Sequence, residues 1–140
     1  MKTRTWLVSI GVVSLVAALW ALRDPAWIGD YDHGLFPVAV DDTGRTIRWT
    51  SGHAAFYVPA SAPRVSIDLA GQLEDGVTVS VYFDGQRAAR VQVLRAWKNV
   101  TVPSSSMPET TRRYRRVDLQ VSRTWAYEKY GVRIGWPVGE

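Results

Sequence analysis

The chain has 140 residues, a formal net charge of +4 and no cysteine. That length accommodates one modest core behind any targeting segment, and the missing thiols exclude disulfides, thiolate metal sites and cysteine nucleophiles. Half of the net charge resides in Lys2 and Arg4, so the remainder is close to neutral and gives no footing for a nucleic-acid partner.

Residues 6–22, WLVSIGVVSLVAALWAL, carry no charge. A helix of that length reaches roughly 25 Å at about 1.5 Å per residue, a little under the ~30 Å hydrocarbon core of a bilayer. Lys2 and Arg4 precede the run, Arg23, Asp24 and Pro25 follow it, and Trp6, Trp20 and Trp27 lie near its ends. Basic residues favour the cytoplasmic side and tryptophan the headgroup level. The expectation is an uncleaved signal anchor over residues 1–23: a single-pass transmembrane helix, N-terminus cytoplasmic, with the C-terminal domain extracytoplasmic. Cleavage after Val16-Ala17-Ala18, giving a secreted protein, is the alternative. Against it, the apolar run continues through Leu22.

Residues 24–33 read as a juxtamembrane linker and 34–140 as one domain. From Gly34 onward short strands alternate with turn residues, without helical period. Phe36–Val40 reads as an edge strand, since Pro37 suits only an edge or a strand start. Asp41-Asp42-Thr43-Gly44 is a turn, and Thr46–Thr50 and Ala54–Pro59 read as two further strands. In the strand from Arg64, Val65, Ile67 and Leu69 alternate with Ser66 and Asp68. Val77, Val79, Val81 and Phe83 form the next apolar row. Asp84-Gly85 then predicts a two-residue type I′ turn, with a return strand over Gln86–Leu94. Trp97–Pro103, a strand carrying Val117, Leu119, Val121 and Trp125, and a last one carrying Val132, Ile134 and Trp136 complete the set. The fold class is all-β: an antiparallel, jelly-roll-type β-sandwich of about eight or nine strands behind one N-terminal transmembrane helix.

Gly34-Leu35-Phe36-Pro37, the stretch Gly44–Thr50 (GRTIRWT), Val79–Gly85 (VSVYFDG) with Trp97, Asp118–Trp125 (DLQVSRTW) and Gly131–Gly135 (GVRIG) carry a family resemblance. Residues 34–137 resemble bacterial galactose-binding-like or carbohydrate-binding-module-like β-sandwich domains attached to membrane glycosyltransferases and related membrane proteins. The resemblance implies an accessory role near envelope glycan synthesis without implying catalysis.

Few constellations carry chemistry. The histidines, His33 and His53, are isolated in sequence, and no nucleophile elbow, phosphate loop or zinc-protease motif is present. Asp30/Asp32, Asp41/Asp42 and Glu74/Asp75 each sit beside glycine and read as turn chemistry. Turn carboxylates suit a structural calcium ion, yet no calcium-ligand spacing supports one, so no cofactor, metal or catalytic residue is assigned. Tyr57, Tyr82 and Trp97 fall on the parity opposite their core neighbours and are the candidate sugar-stacking residues, with cross-strand packing as the bland reading. Arg112, Arg113, Arg115 and Arg116 form the only charge run and are candidates for an anionic group, with a solvated loop as the alternative. Trp49, Trp125 and Trp136 read as core. The chain is therefore read as a membrane-anchored, non-catalytic module binding glycan or lipid-linked saccharide. The alternative is an interaction protein docking onto a membrane glycosyltransferase or another envelope component.

Overall fold

The computed structural model describes residues 2–127 and 129–139, apart from the side chains of 2–7 and 21–23. Helix α1 spans Lys2–Arg23 and a 3-10 turn follows over Ala26–Asp30. The strands are β1 (Asp32–Leu35), β2 (Ala39–Val40), β3 (Thr46–Pro59), β4 (Arg64–Ala70), β5 (Val77–Phe83), β6 (Gln86–Val93), β7 (Lys98–Pro103), β8 (Tyr114–Val121) and β9 (Arg133–Gly135).

A single path of hydrogen-bonded neighbours runs β6-β5-β8-β3-β9-β4-β7, and β3 is its pivot. The C-terminal half of β3 pairs with β8, from His53 opposite Gln120 to Pro59 opposite Tyr114. Its N-terminal half pairs with β9, through Ile47–Gly135, Arg48–Ile134 and Trp49–Arg133. The first sheet is therefore β1-β3-β8-β5-β6 and the second β2-β3-β9-β4-β7, all antiparallel. From β4 in the second sheet the chain enters the first for the β5–β6 hairpin, returns to the second at β7, crosses to the first at β8 and ends in the second at β9, as expected of two antiparallel sheets in a β-sandwich.

The alternating strands fold as their parity dictates. Val65, Ile67 and Leu69, Val79, Val81 and Phe83, and Val117 and Leu119 each lose almost all solvent contact and meet in one core. At about 25 cal/mol per Å² this burial is the main stabilising term. The β5–β6 hairpin turns at Asp84 and Gly85 with φ of 49° and 86°, the two positive values a type I′ turn needs.

Four differences from the sequence reading have physical causes. Thr46–Thr50 and Ala54–Pro59 are one continuous strand. Apolar parity breaks at Ser51-Gly52 because β3 leaves one sheet for the other there, and the β1–β3 register jumps at the same place, from His33–Ala55 to Leu35–Thr50. The buried Thr50 holds the crossing: its N–H donates to the Val132 carbonyl at 2.8 Å, and its Oγ1 accepts the Val132 N–H at 2.9 Å. Secondly, residues 32–33 lie in β1 rather than in a linker, and the edge strand shrinks to Ala39–Val40. Thirdly, β8 stops at Val121, so Trp125 sits in a turn bridged to Tyr130.

The fourth difference concerns the membrane span. The helix expected over 6–22 forms within α1, yet no helix among the described residues is long and apolar enough to cross a membrane. The flanks Lys2, Arg4, Trp6 and Arg23, with Leu7, Ala21 and Leu22, have side chains outside those described.

Candidate functional site

Residues directly opposite one another in an antiparallel pair share a face. Phe56 faces Val117 and Val81 faces Leu119, both in the core, so their neighbours Tyr57, Arg116, Asp118 and Tyr82 project from the outer face of the first sheet. Tyr57 lies opposite Arg116, and Asp118 opposite both Ala55 and Tyr82. A network crosses this face. Asp118 Oδ1 accepts from Arg116 Nε at 3.1 Å and Nη2 at 2.8 Å, and from His53 Nε2 at 3.0 Å. The Asp118 hydrogen bond raises the Arg116 pKa above its already high ordinary value. The Tyr31 ring stands edge-on to Tyr57 at 6.4 Å.

Where this face meets the loop that leads into β8, an open cleft of about 490 Å³ is lined by Tyr57, Tyr114, Arg112, Arg116, Asp118, Asp84, Gly85, Glu109 and Thr110. The chain builds it from three elements. The type I′ turn supplies Asp84, paired β3 and β8 supply Tyr57, Tyr114, Arg116 and Asp118, and the 104–113 loop supplies Glu109, Thr110 and Arg112. That loop is pinned from beneath by Arg115, only 7% exposed, whose Nη1 donates to Asp84 Oδ2 at 3.2 Å and to the Pro108 carbonyl. Asp84 also accepts the Arg116 N–H at 3.0 Å. The charges of Asp84 and Asp118 are thus matched by arginines. The side chains of Arg112 and Glu109 have no hydrogen bond or ion pair among the described residues and remain available.

The expected site residues consequently divide. Tyr57, Arg112 and Arg116 come together in the cleft, and Tyr82 lies beside it on the same face. Arg115 points inward and serves the loop. Arg113 is exposed and donates its backbone N–H to Asp24. Trp97 stands apart on the other sheet, with the Arg45 guanidinium over its ring at 4.0 Å. Tyr114 and Glu109, absent from the sequence reading, belong to the cleft. Tyr114 sits inside the arginine run, between Arg113 and Arg115, on the first residue of β8, the one available hint. Glu109 reaches the cleft only through the fold of the loop, which no periodicity reveals.

Trp136 packs edge-on against Phe56 at 5.8 Å and joins the rim of the core. Trp49 and Trp125 do not reach the core. On β3, Arg48 shares the inner face with Ile134, so Trp49 emerges on the outer face of the second sheet, opposite Arg133. There it meets Trp125 at 5.4 Å and Tyr130 at 5.6 Å, and Tyr130 meets Phe36 at 4.7 Å. No group of three or more potential metal ligands gathers among the described residues.

No family model matches this sequence, and no curated protein matches it. Among solved structures, the chain is similar to one described as "CBM4 structure and function", at 10% identity over 79% of this chain and 80% of that one, with a TM-score of 0.44. It is similar to a family two carbohydrate esterase from Cellvibrio japonicus at 11% identity, covering 78% of this chain and 31% of that one, with a TM-score of 0.44. It is also similar to the C-terminal extracellular domain of Mycobacterium tuberculosis EmbC at 14% identity, covering 71% and 43%, with a TM-score of 0.33.

Proposed function

We propose that the protein is a non-catalytic glycan-binding module whose site is the cleft at Tyr57. The observation that carries this reading is the meeting of two tyrosine rings with uncommitted donors and acceptors in one open cleft. A pyranose offers apolar C–H faces to rings and hydroxyls to polar groups, and Tyr57 and Tyr114 stand beside Arg112, Glu109 and Thr110. The arginine contacts of Asp84 and Asp118 favour binding over acid–base work, because these carboxylates are already occupied by groups of the protein itself.

The module is, on this reading, held at a lipid surface by α1. Val8, Ile10, Val12, Val13, Leu15, Val16, Leu19 and Trp20 are each at least 53% exposed and occupy all sides of the helix, whereas a helix apolar all round requires apolar surroundings. Arg112 lines both the cleft and a small space beside Trp20 and Asp24. The cleft would then open close to the headgroups, where a lipid-linked saccharide presents its sugar.

The test is a glycan array followed by calorimetry on the full chain in non-ionic detergent. Tyr57→Ala should lower affinity for the bound saccharide about tenfold, the stacking and burial of one ring. An unaltered affinity in a folded Tyr57→Ala variant would refute the site. No binding to any saccharide would shift the reading to docking on a membrane glycosyltransferase. Flotation with vesicles should capture the full chain and lose a chain beginning at residue 24; equal capture of both would refute the anchor.

A further inference from the structure

The outer face of the second sheet holds a different constellation, about which the cleft says nothing. Arg133 on β9 lies between two indoles, 5.7 Å from the Trp49 ring and 5.4 Å from the Trp97 ring. Arg45 covers the Trp97 ring at 4.0 Å. Arg45 is engaged by Asp68, which Asn99 Nδ2 also reaches at 2.7 Å. Arg133 is not engaged: its guanidinium has no hydrogen bond or ion pair among the described residues, and its Nε is shut off from solvent without a partner. Three of the four buried side-chain polar atoms left without a partner among the described residues belong to this region, namely Arg133 Nε, Trp125 Nε1 and Asp41 Oδ2.

Such groups are costly, and their gathering in one place calls for a physical reason. A guanidinium beside an indole whose Nε is buried still presents its Nη donors, and that end of the group matches a carboxylate. Asp41 lies within electrostatic reach of Arg133, and its Oδ1 is already occupied by the Thr43 hydroxyl at 2.6 Å and the Arg45 N–H at 2.9 Å. Asp41 Oδ2 has no partner among the described residues and is closed to solvent, so the Asp41 charge faces Arg133 from the protein side and leaves the outward side of the guanidinium to a ligand. Gly135 keeps the platform open, since a Cβ there would come within 2.9 Å of Arg45 Nη2.

We propose that this face is a second ligand site, taking a carboxylate carried on a sugar ring, a uronic acid unit, with the Nη fork of Arg133 gripping the carboxylate and the Trp49 and Trp97 rings meeting the sugar. The proposal stands independently of the cleft on the opposite sheet. Both sites lie on β3, Tyr57 facing one way and Trp49 the other.

The experiment is calorimetry of the full chain with trigalacturonate, galactotriose and inorganic phosphate at 0.15 M salt. Alongside it, the indole N–H signals of Trp49 and Trp97 are followed by NMR in the native sequence, which keeps the test open if a variant fails to fold. Trigalacturonate should bind and shift both signals. Arg133→Gln should weaken it tenfold or more, the loss of a charge-assisted fork, whereas Arg95→Gln, which removes an exposed charge beside Glu74, should not. Equal binding of galactotriose, unchanged affinity in Arg133→Gln, or unmoved indole signals would overturn the proposal. Inorganic phosphate competing at concentrations similar to trigalacturonate would overturn it too, since the sugar ring would then contribute nothing. Failure here leaves the cleft untouched, because binding there is read by Tyr57→Ala with its own saccharide.

Discussion

Replacing Arg115 with methionine probes whether the loop beside the cleft is held by one buried cation. The stem of the side chain is kept, while the contacts to Asp84 and to the Pro108 carbonyl are removed. Breaking a fully buried pair on one side costs about 3–5 kcal/mol. The Asp84 side chain is 25% exposed, so water recovers part of its solvation, and the Arg115 Nε has no partner even in the native protein; the expected loss is therefore about 2 kcal/mol. In a domain near 100 residues that lowers the melting temperature by roughly 8 °C or somewhat more. Asp84→Asn keeps an amide oxygen for the Arg116 N–H and a residue tolerant of the positive φ at this turn. The double variant should therefore lose less than the sum of the two single ones, by about 1 kcal/mol. Urea unfolding of the four proteins measures that coupling. Hydrogen exchange should also show faster exchange at Glu109, Thr110 and Arg112 in Arg115→Met, with saccharide affinity falling in parallel. Additive losses, or an Arg115→Met protein as stable as the native one, would refute the reasoning.

Thr50→Val keeps the volume at the β3 crossing but strips the Val132 N–H of its acceptor, so it should cost about 1–3 kcal/mol by urea unfolding; a neutral effect would mean the crossing is held otherwise. Leu119→Ala empties a fully buried position and should cost about 3 kcal/mol, and a loss below 1 would indicate a core that collapses readily. The Thr43 hydroxyl lowers the pKa of Asp41 and the Arg123 guanidinium lowers that of Asp75. Groups depressed in the folded state contribute stability above their unfolded pKa and lose it as the pH falls through the folded value. Melting temperature should therefore drop below about pH 4, with a shallower acid slope in the Asp41→Asn, Asp75→Asn protein; identical slopes would refute this.

Much of the architecture is legible in the residues because burial imposes a period of two. Val77 to Phe83, the Asp84-Gly85 turn and the returning strand read correctly, since alternation and turn chemistry agree there. β3 misled for the same reason: a strand that changes sheets changes which parity is buried, so its 14 residues look like two elements. Trp49 shares parity with the buried Ile47, yet both lie on the outward side of the second sheet, opposite Arg133 and Gly135. Of the site, the outward parity of Tyr57 and the arginine run were visible. The separation of Trp97 from Tyr57, the inward turn of Arg115 and the arrival of Glu109 were not, because each depends on how strands distant in sequence pair.

The position of β9 has a consequence for how the chain reaches this structure. Residues 133–135 are the last strand among the described residues, yet they lie in the interior of the second sheet, between β3 and β4. Until they emerge from the ribosome, β3 and β4 have no common neighbour, and Val132 and Ile134, both fully buried, are missing from the core. Loops of this length are costly to close before their contacts form. Chains interrupted before residue 131 should therefore stay open and protease-sensitive, and folding should complete in a single late step once the C-terminal strand inserts.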